Sequence, residues 1–396
     1  MKSHNPPVNL LLFYSTTALW NLTNGMVMIL VPLYALSLGF SVLKIGSVIA
    51  LPVLVTLGMR FVGGALCDRF GERLILQLCY LLSVFSVILL LQAKGFGSLF
   101  LSQAIANCSR SIFWTASQSL ATQVPGPNVG KRLGHLSAWS YGGNLVGISI
   151  GGALAALLGY YGSFLVLIGM SVTCVLLGLF LPRVERKPSG RTVWQITAGI
   201  GRLVRYPRVW LGIFSSFGAA LPSALTQSLF PVYLSQLNYG EQWIGLTVSG
   251  RGVGTVAIVL ILGPLITPPR LMGFFVLGTT GLGIFVASSG LLEELYLLGP
   301  CIVAVGAAGG VLDLWYQVQA TELSEARDRS MALATTSLGW PLSLIIAPLL
   351  LGWLADMMGF QFTFVVTGLF FVLVAAGSGL WQLKARHKAV LKPDLD

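Results

Sequence analysis

From Ser3 to Leu43 the chain carries no Asp, Glu, Lys or Arg, and comparable runs recur to its end. Stretches of about 20 apolar residues are what a hydrocarbon layer ~30 Å thick demands of a spanning helix. Only 9% of the 396 residues are charged and 55% are hydrophobic, whereas soluble chains average about 25% charged. A water-soluble domain has no way to hide that much hydrocarbon. The sequence predicts an all-α membrane protein that crosses the bilayer many times, and its function has to be read from the few polar residues its spans keep. The first apolar run is far longer than the ~7–15-residue core of a cleavable signal, and no small-residue cleavage site follows it, so it reads as a span.

Apolar runs bounded by charges or turn residues number twelve, at roughly 8–38, 45–67, 74–93, 98–120, 137–160, 162–182, 209–235, 243–267, 271–290, 295–318, 331–356 and 359–382. An even count puts both termini on one side. Nineteen of the 24 Lys and Arg residues fall in the loops and tail on that side. The opposite loops hold only Lys44 and Lys94, and Arg60, Arg110 and Arg251 lie within spans. This asymmetry predicts cytoplasmic termini and a multi-pass protein of the inner or plasma membrane. It also accounts for the net charge of +11 without a nucleic-acid partner, because the basic residues follow alternate loops rather than a stripe.

The chain repeats itself about the charged segment 183–208. Pro32-Leu33-Tyr34 returns as Pro231-Val232-Tyr233, Ile45-Gly46 as Ile244-Gly245, and Trp114 with Gln118 as Trp315 with Gln319. In the same register Thr17 and Asn24 correspond to Ser216 and Ser223. The expected organisation is a six-helix bundle over 1–182, a cytoplasmic basic linker over 183–208, and a second six-helix bundle with a tail over 209–396. Within the linker, Val193, Ile196, Ile200 and Leu203 recur at helical spacing. They read as an amphipathic helix on the anionic leaflet or as a basic linker without fixed structure.

A charge at mid-bilayer costs roughly 2.5–3.5 kcal/mol on insertion scales, so charged residues inside spans are functional candidates. Gln103, Asn107, Arg110, Trp114 and Ser117 recur at helical spacing and form one polar face of span 4. Asn21 and Asn24 lie on a similar face of span 1, and Asp313 and Gln317 share a side of span 10. Arg110, Asn107, Gln103, Trp114, Asn21, Asn24, Arg251 and Gln317 are the candidate substrate contacts. Asp313, the carboxylate well inside a span, is the candidate proton carrier. Arg60 and Arg251 are near enough to span ends to extend toward an interface. His4, His135 and His387 fall outside the expected spans, which argues against a histidine relay. Cys67, Cys79, Cys108, Cys174 and Cys301 lack paired metal spacing, so no metal or cofactor is expected and inert thiols are the reading.

Between spans 2 and 3 stands Gly64-Ala65-Leu66-Cys67-Asp68-Arg69-Phe70-Gly71-Glu72-Arg73. It resembles the cytoplasmic signature of the major facilitator superfamily: Gly, three residues, Asp, Arg, one residue, Gly, one residue, Arg. Every fixed position is filled. In the corresponding loop of the second half only Gly263 and Arg270 remain. The resemblance implies the twelve-span fold, a cavity lined by spans 1, 4, 7 and 10, and transport by alternating access. It implies too that Gly64, Asp68, Arg69, Gly71 and Arg73 form a conformational gate, Asp68 facing the start of span 11 and the arginines completing a charge network. Arg110 stands where many family members carry an arginine linked to proton coupling. Gly143, Gly147, Gly151 and Gly152 come close to the glycine pattern of family antiporters, with Ile148 where that pattern has a proline.

The expected function is thus secondary active transport of a small anionic or zwitterionic organic solute by a monomer. Proton-coupled export is favoured, and drugs, metabolites or a metal-chelating metabolite such as a siderophore are the solutes considered. The excess of arginine over aspartate in the spans is what favours an anion. Import or exchange of an organic anion is the alternative. An ATP-driven machine is not expected, because no phosphate-cradling Gly-rich loop ending in Lys-Ser or Lys-Thr occurs. An intramembrane enzyme is not expected either, since the spans supply neither a histidine nor paired acids.

Overall fold

The computed structural model of the protein describes residues 10–123, 129–181, 207–262, 265, 271–322 and 335–390. The segment 183–206, with its expected amphipathic helix, lies outside the described residues, as do Gly263 and Arg270. All of the regular structure among the described residues is helical. Eight helices are long and apolar enough to cross a membrane by length and composition. Two of these, within Val129–Gly178 and Gly339–Val390, are each a pair of spans joined at a glycine, Gly159 and Gly359. Adding Val42–Phe70, broken at Pro52, and the more polar Phe96–Gln123 brings the spans to the expected twelve.

The remaining spans are Leu10–Ser37, Glu72–Leu91, Pro207–Gln236, Glu241–Leu262, Leu271–Leu291 and Leu295–Glu322; the third of these is interrupted at Ser228. His135, expected outside the spans, sits as an exposed residue on the first turns of span 5. The apolar pattern there begins only after it, whereas backbone hydrogen bonding carries the helix further back.

The sequence repeat is visible in the backbone. Gly159 and Gly359, 200 residues apart, have φ of +65° and +82°. A side chain is strained in that region, and glycine turns the chain there without a Cβ penalty. Gly39 (φ +78°) and Asn238 (φ +63°) occupy equivalent loops; asparagine is among the few other residues that tolerate this conformation.

By contact, the chain divides into two compact units, one of Met1–Arg191 with Gln227–Ser249, the other of Thr192–Thr226 with Gly250–Asp396. In the first unit, span 5 lies along span 1 with its glycines against backbone. A Cβ on Gly143 would meet the Ala18 carbonyl, one on Gly147 the Leu22 carbonyl, and one on Gly151 the Met26 backbone. Apolar burial does not drive helices together inside lipid, so this close van der Waals approach is a main source of their cohesion. Polar residues add cross-links: Ser86 donates to the Ser102 carbonyl at 2.9 Å and Ser109 to the Cys79 carbonyl at 2.8 Å. Each such bond is worth about 0.6 kcal/mol on average in a membrane protein. Trp20 stacks on Phe113 with centroids 3.7 Å apart, and its indole N–H donates to Ser83.

The second unit repeats these devices. Gly254 packs on the Val303 backbone and Gly306 on that of Arg251, while Thr255 donates to the Gly306 carbonyl at 2.9 Å. Trp315 donates to the Leu271 carbonyl at 2.7 Å. Spans 6 and 12 turn Leu165, Val172, Leu176, Phe370 and Leu373 outward, an apolar surface suited to lipid.

Candidate functional site

The site of the first unit is built around Arg110 in span 4. Its Nε donates to Oδ1 of Asn24 in span 1 at 3.3 Å. Asn24 is itself oriented by donating its amide to the Trp20 carbonyl at 2.8 Å, and Trp20 is held by the Phe113 stack. Among the described residues no carboxylate pairs with Arg110, and its two terminal nitrogens have no protein partner. Arg110 lines a small pocket together with Gln103 and Gln227. The other lining residues are Val27, Met28, Val31 and Pro32 from span 1, and Ile49 from span 2. Gln103 is 6% exposed, and its amide nitrogen has no partner among the described residues.

Not every residue of the span 1 and span 4 faces reaches this wall. Asn21 donates to the Thr17 carbonyl and Asn107 to the Gln103 carbonyl, each at one turn within its own helix. Trp114 lies edge-on to Phe113. Helical periodicity put them on a common face, but a short amide four residues from a carbonyl bonds its own backbone readily. These lining residues escaped sequence reasoning, because Val27, Met28 and Val31 look like any other hydrocarbon in a span.

In the second unit Arg251 donates through Nη1 to Ser223 at 2.9 Å. Asp313 accepts from Gln317 Nε2 at 2.9 Å, one turn along span 10, and from Trp340 Nε1 of span 11 at 3.4 Å. Gln317 therefore serves Asp313. Trp340 was missed from sequence, since nothing in an apolar span marks which tryptophan meets a carboxylate.

At the signature loop, Gly71 has φ +82° and ends span 2, which explains the glycine there. Arg73 donates to the Leu179 carbonyl at the end of span 6. Arg69 is exposed and rests over the Phe70 ring, 5.3 Å from its centroid. The Asp68 and Arg60 side chains lie outside the described residues, as does the start of span 11 that Asp68 was expected to face. Glu72, a variable position of the signature, is buried and accepts from Ser119 at 2.8 Å and Gln123 at 2.7 Å. Its place in the first turn of span 3, where a helix favours a negative charge, was the available signal.

A family model described as Major Facilitator Superfamily matches residues 13–312 and 213–394. Among curated relatives, the human MFS-type transporter SLC18B1 is 26% identical over 72% of this chain and 64% of its own. The multidrug resistance protein MdtG of Serratia proteamaculans is 26% identical over 63% of this chain and 62% of its own. The quinolone resistance protein NorA of Staphylococcus aureus is 26% identical over 58% and 59%. The chain thus spans under two thirds of the length of each of these relatives. Of solved structures, a mutant of the nucleoside transporter NupG superposes with a TM-score of 0.82 at 14% identity, covering 94% of this chain and 99% of that one. A bacterial homolog of the human lysosomal transporter Spinster does so with a TM-score of 0.76 at 14% identity, covering 93% and 95%. Twelve spans, the backbone repeat and these matches agree: the chain belongs to the major facilitator superfamily.

Proposed function

We propose that this protein is a secondary active transporter working by alternating access, which exports a small anionic or zwitterionic organic solute in exchange for protons carried by Asp313. In this reading the halves 1–182 and 209–396, joined by a cytoplasmic linker over 183–208, rock about a central site in a monomer of the cell membrane. Both termini are cytoplasmic, as the loop charges favour. The observation that carries the reading is Arg110, a pocket-lining residue anchored through Nε to Asn24, with no carboxylate partner among the described residues. A guanidinium held in a span at that cost is offset when an anion enters and takes its bidentate fork. Relatives named for multidrug and quinolone resistance support the outward direction. Asp313, gripped by donors from spans 10 and 11, is suited to register protonation as a change between two helices.

The test is a thermal-shift screen of the purified protein against organic acids, antibiotics and metal chelators, followed by flux in proteoliposomes under an imposed pH gradient. Anionic or zwitterionic solutes should stabilise the protein and be driven by the gradient in the wild type. Stabilisation by cations alone, or flux indifferent to the gradient, contradicts the reading.

A further inference from the structure

We propose that the pocket beside Arg110 is a halide site, which takes chloride as the counter-ion of that arginine. The inference goes beyond the transport reading, because it assigns the pocket an inorganic ligand rather than the transported solute. The volume of the pocket sets the size of that ligand. At about 10 Å³, the pocket is of the order that holds one water-sized species. A single monatomic ion is accommodated, whereas a ring or an alkyl chain is not. The accessible lining is mostly polar, and the polar side chains among the lining residues are Gln103, Arg110 and Gln227.

Charge decides what the species is. Arg110 is fixed through Nε to Asn24 at 3.3 Å, and Asn24 is in turn fixed to the Trp20 carbonyl at 2.8 Å. The other donors of Arg110 have no partner among the described residues, and a guanidinium has five N–H donors and no acceptor. Gln103 brings one more donor, an amide nitrogen that is buried without a partner among the described residues. Buried donors left unpaired are costly, and a charge left unbalanced inside a span is costlier. Water can accept from these groups, but it leaves the guanidinium charge uncompensated. A halide accepts from several donors at once and cancels that charge. No carboxylate stands among the lining residues, so nothing there repels an anion or holds a cation.

The experiment measures chloride binding to the purified full chain by line broadening in chlorine NMR, with bromide as competitor, and locates bromide by anomalous X-ray diffraction from crystals grown in it. The wild-type protein should broaden the chloride line, and bromide should reverse the broadening. Arg110→Gln should lower chloride affinity at least tenfold and Gln103→Leu several-fold. Lys44→Gln, which removes an exposed cation elsewhere, should leave it unchanged. The bromide peak in the wild-type protein should lie within hydrogen-bond reach of Arg110 and Gln103, a readout that needs no variant to fold. An absence of broadening, broadening that Arg110→Gln and Gln103→Leu both leave intact, or a water in place of bromide between those side chains overturns the halide site. Anion transport still stands in each of these cases if organic anions stabilise the wild-type protein against heat and Arg110→Gln abolishes the effect. A protein that binds no anion, halide or organic, overturns both.

Discussion

Asn24 accepts the Nε proton of Arg110 at 3.3 Å, fixing the guanidinium while leaving its two terminal nitrogens without a partner among the described residues. Ser223, the counterpart of Asn24 in the second half, holds a different arginine, Arg251 of span 8, at 2.9 Å. The duplicated scaffold thus uses one position twice to seat an arginine, but draws the arginine from span 4 in one half and span 8 in the other.

Lysine at position 110 keeps the charge and loses both the fork and the Nε bond to Asn24. Arg110→Lys should weaken binding of an organic-anion substrate at least about tenfold, equivalent to ~1.4 kcal/mol. Asn24→Ala should cost several-fold in the wild type and little when added to Arg110→Lys, because it acts through the arginine. Full additivity of the two changes in a binding titration would assign Asn24 an independent role.

Asp313→Asn removes the proposed proton carrier while keeping the size of the side chain. Gradient-driven flux should fall to background, whereas substrate exchange without a gradient persists. Trp340→Phe removes the span 11 donor to Asp313 and should reduce gradient-driven flux several-fold with exchange spared. Retention of full gradient-driven flux by Asp313→Asn ends its assignment as the carrier.

Gly147 faces the Leu22 carbonyl so closely that no Cβ fits, whereas Gly142, on the same helix, has nothing within 4 Å of an added Cβ. Gly147→Val should destabilise the protein by about 1–3 kcal/mol through overpacking, and Gly142→Ala should be neutral or slightly stabilising. Melting temperatures in detergent decide between this and a span 1–span 5 contact that yields freely.

Ser149 of span 5 donates to Ser249 of span 8 at 2.8 Å, and Tyr160 donates to Glu241 at 3.1 Å nearby. In the proposed topology this end faces outside, and alternating access requires spans 5 and 8 to part there. Cysteines introduced at 149 and 249 should cross-link under mild oxidation, and the cross-linked protein should lose transport until reduced. Undiminished transport by the cross-linked form would mean this contact stays closed through the cycle.

The sequence by itself determined that the chain spans a membrane, how many times, and where its halves repeat. Each of these follows from apolar run length, loop charge or fixed offset, all of which are local or linear along the chain. It also marked Arg110 and Asp313, because an ionised group in hydrocarbon is conspicuous in any register. Tertiary structure alone decided what they meet. That Asn24 rather than Asn21 or Asn107 holds Arg110, that Trp340 reaches Asp313, and that Glu72 is bound by Ser119 and Gln123 all depend on the rotation and axial offset of one span against another. Those offsets are set where backbones touch, as at Gly143, Gly147 and Gly151 against span 1. Helical periodicity reports only which residues share a face of their own helix, so partners on different helices leave no mark in the sequence of either.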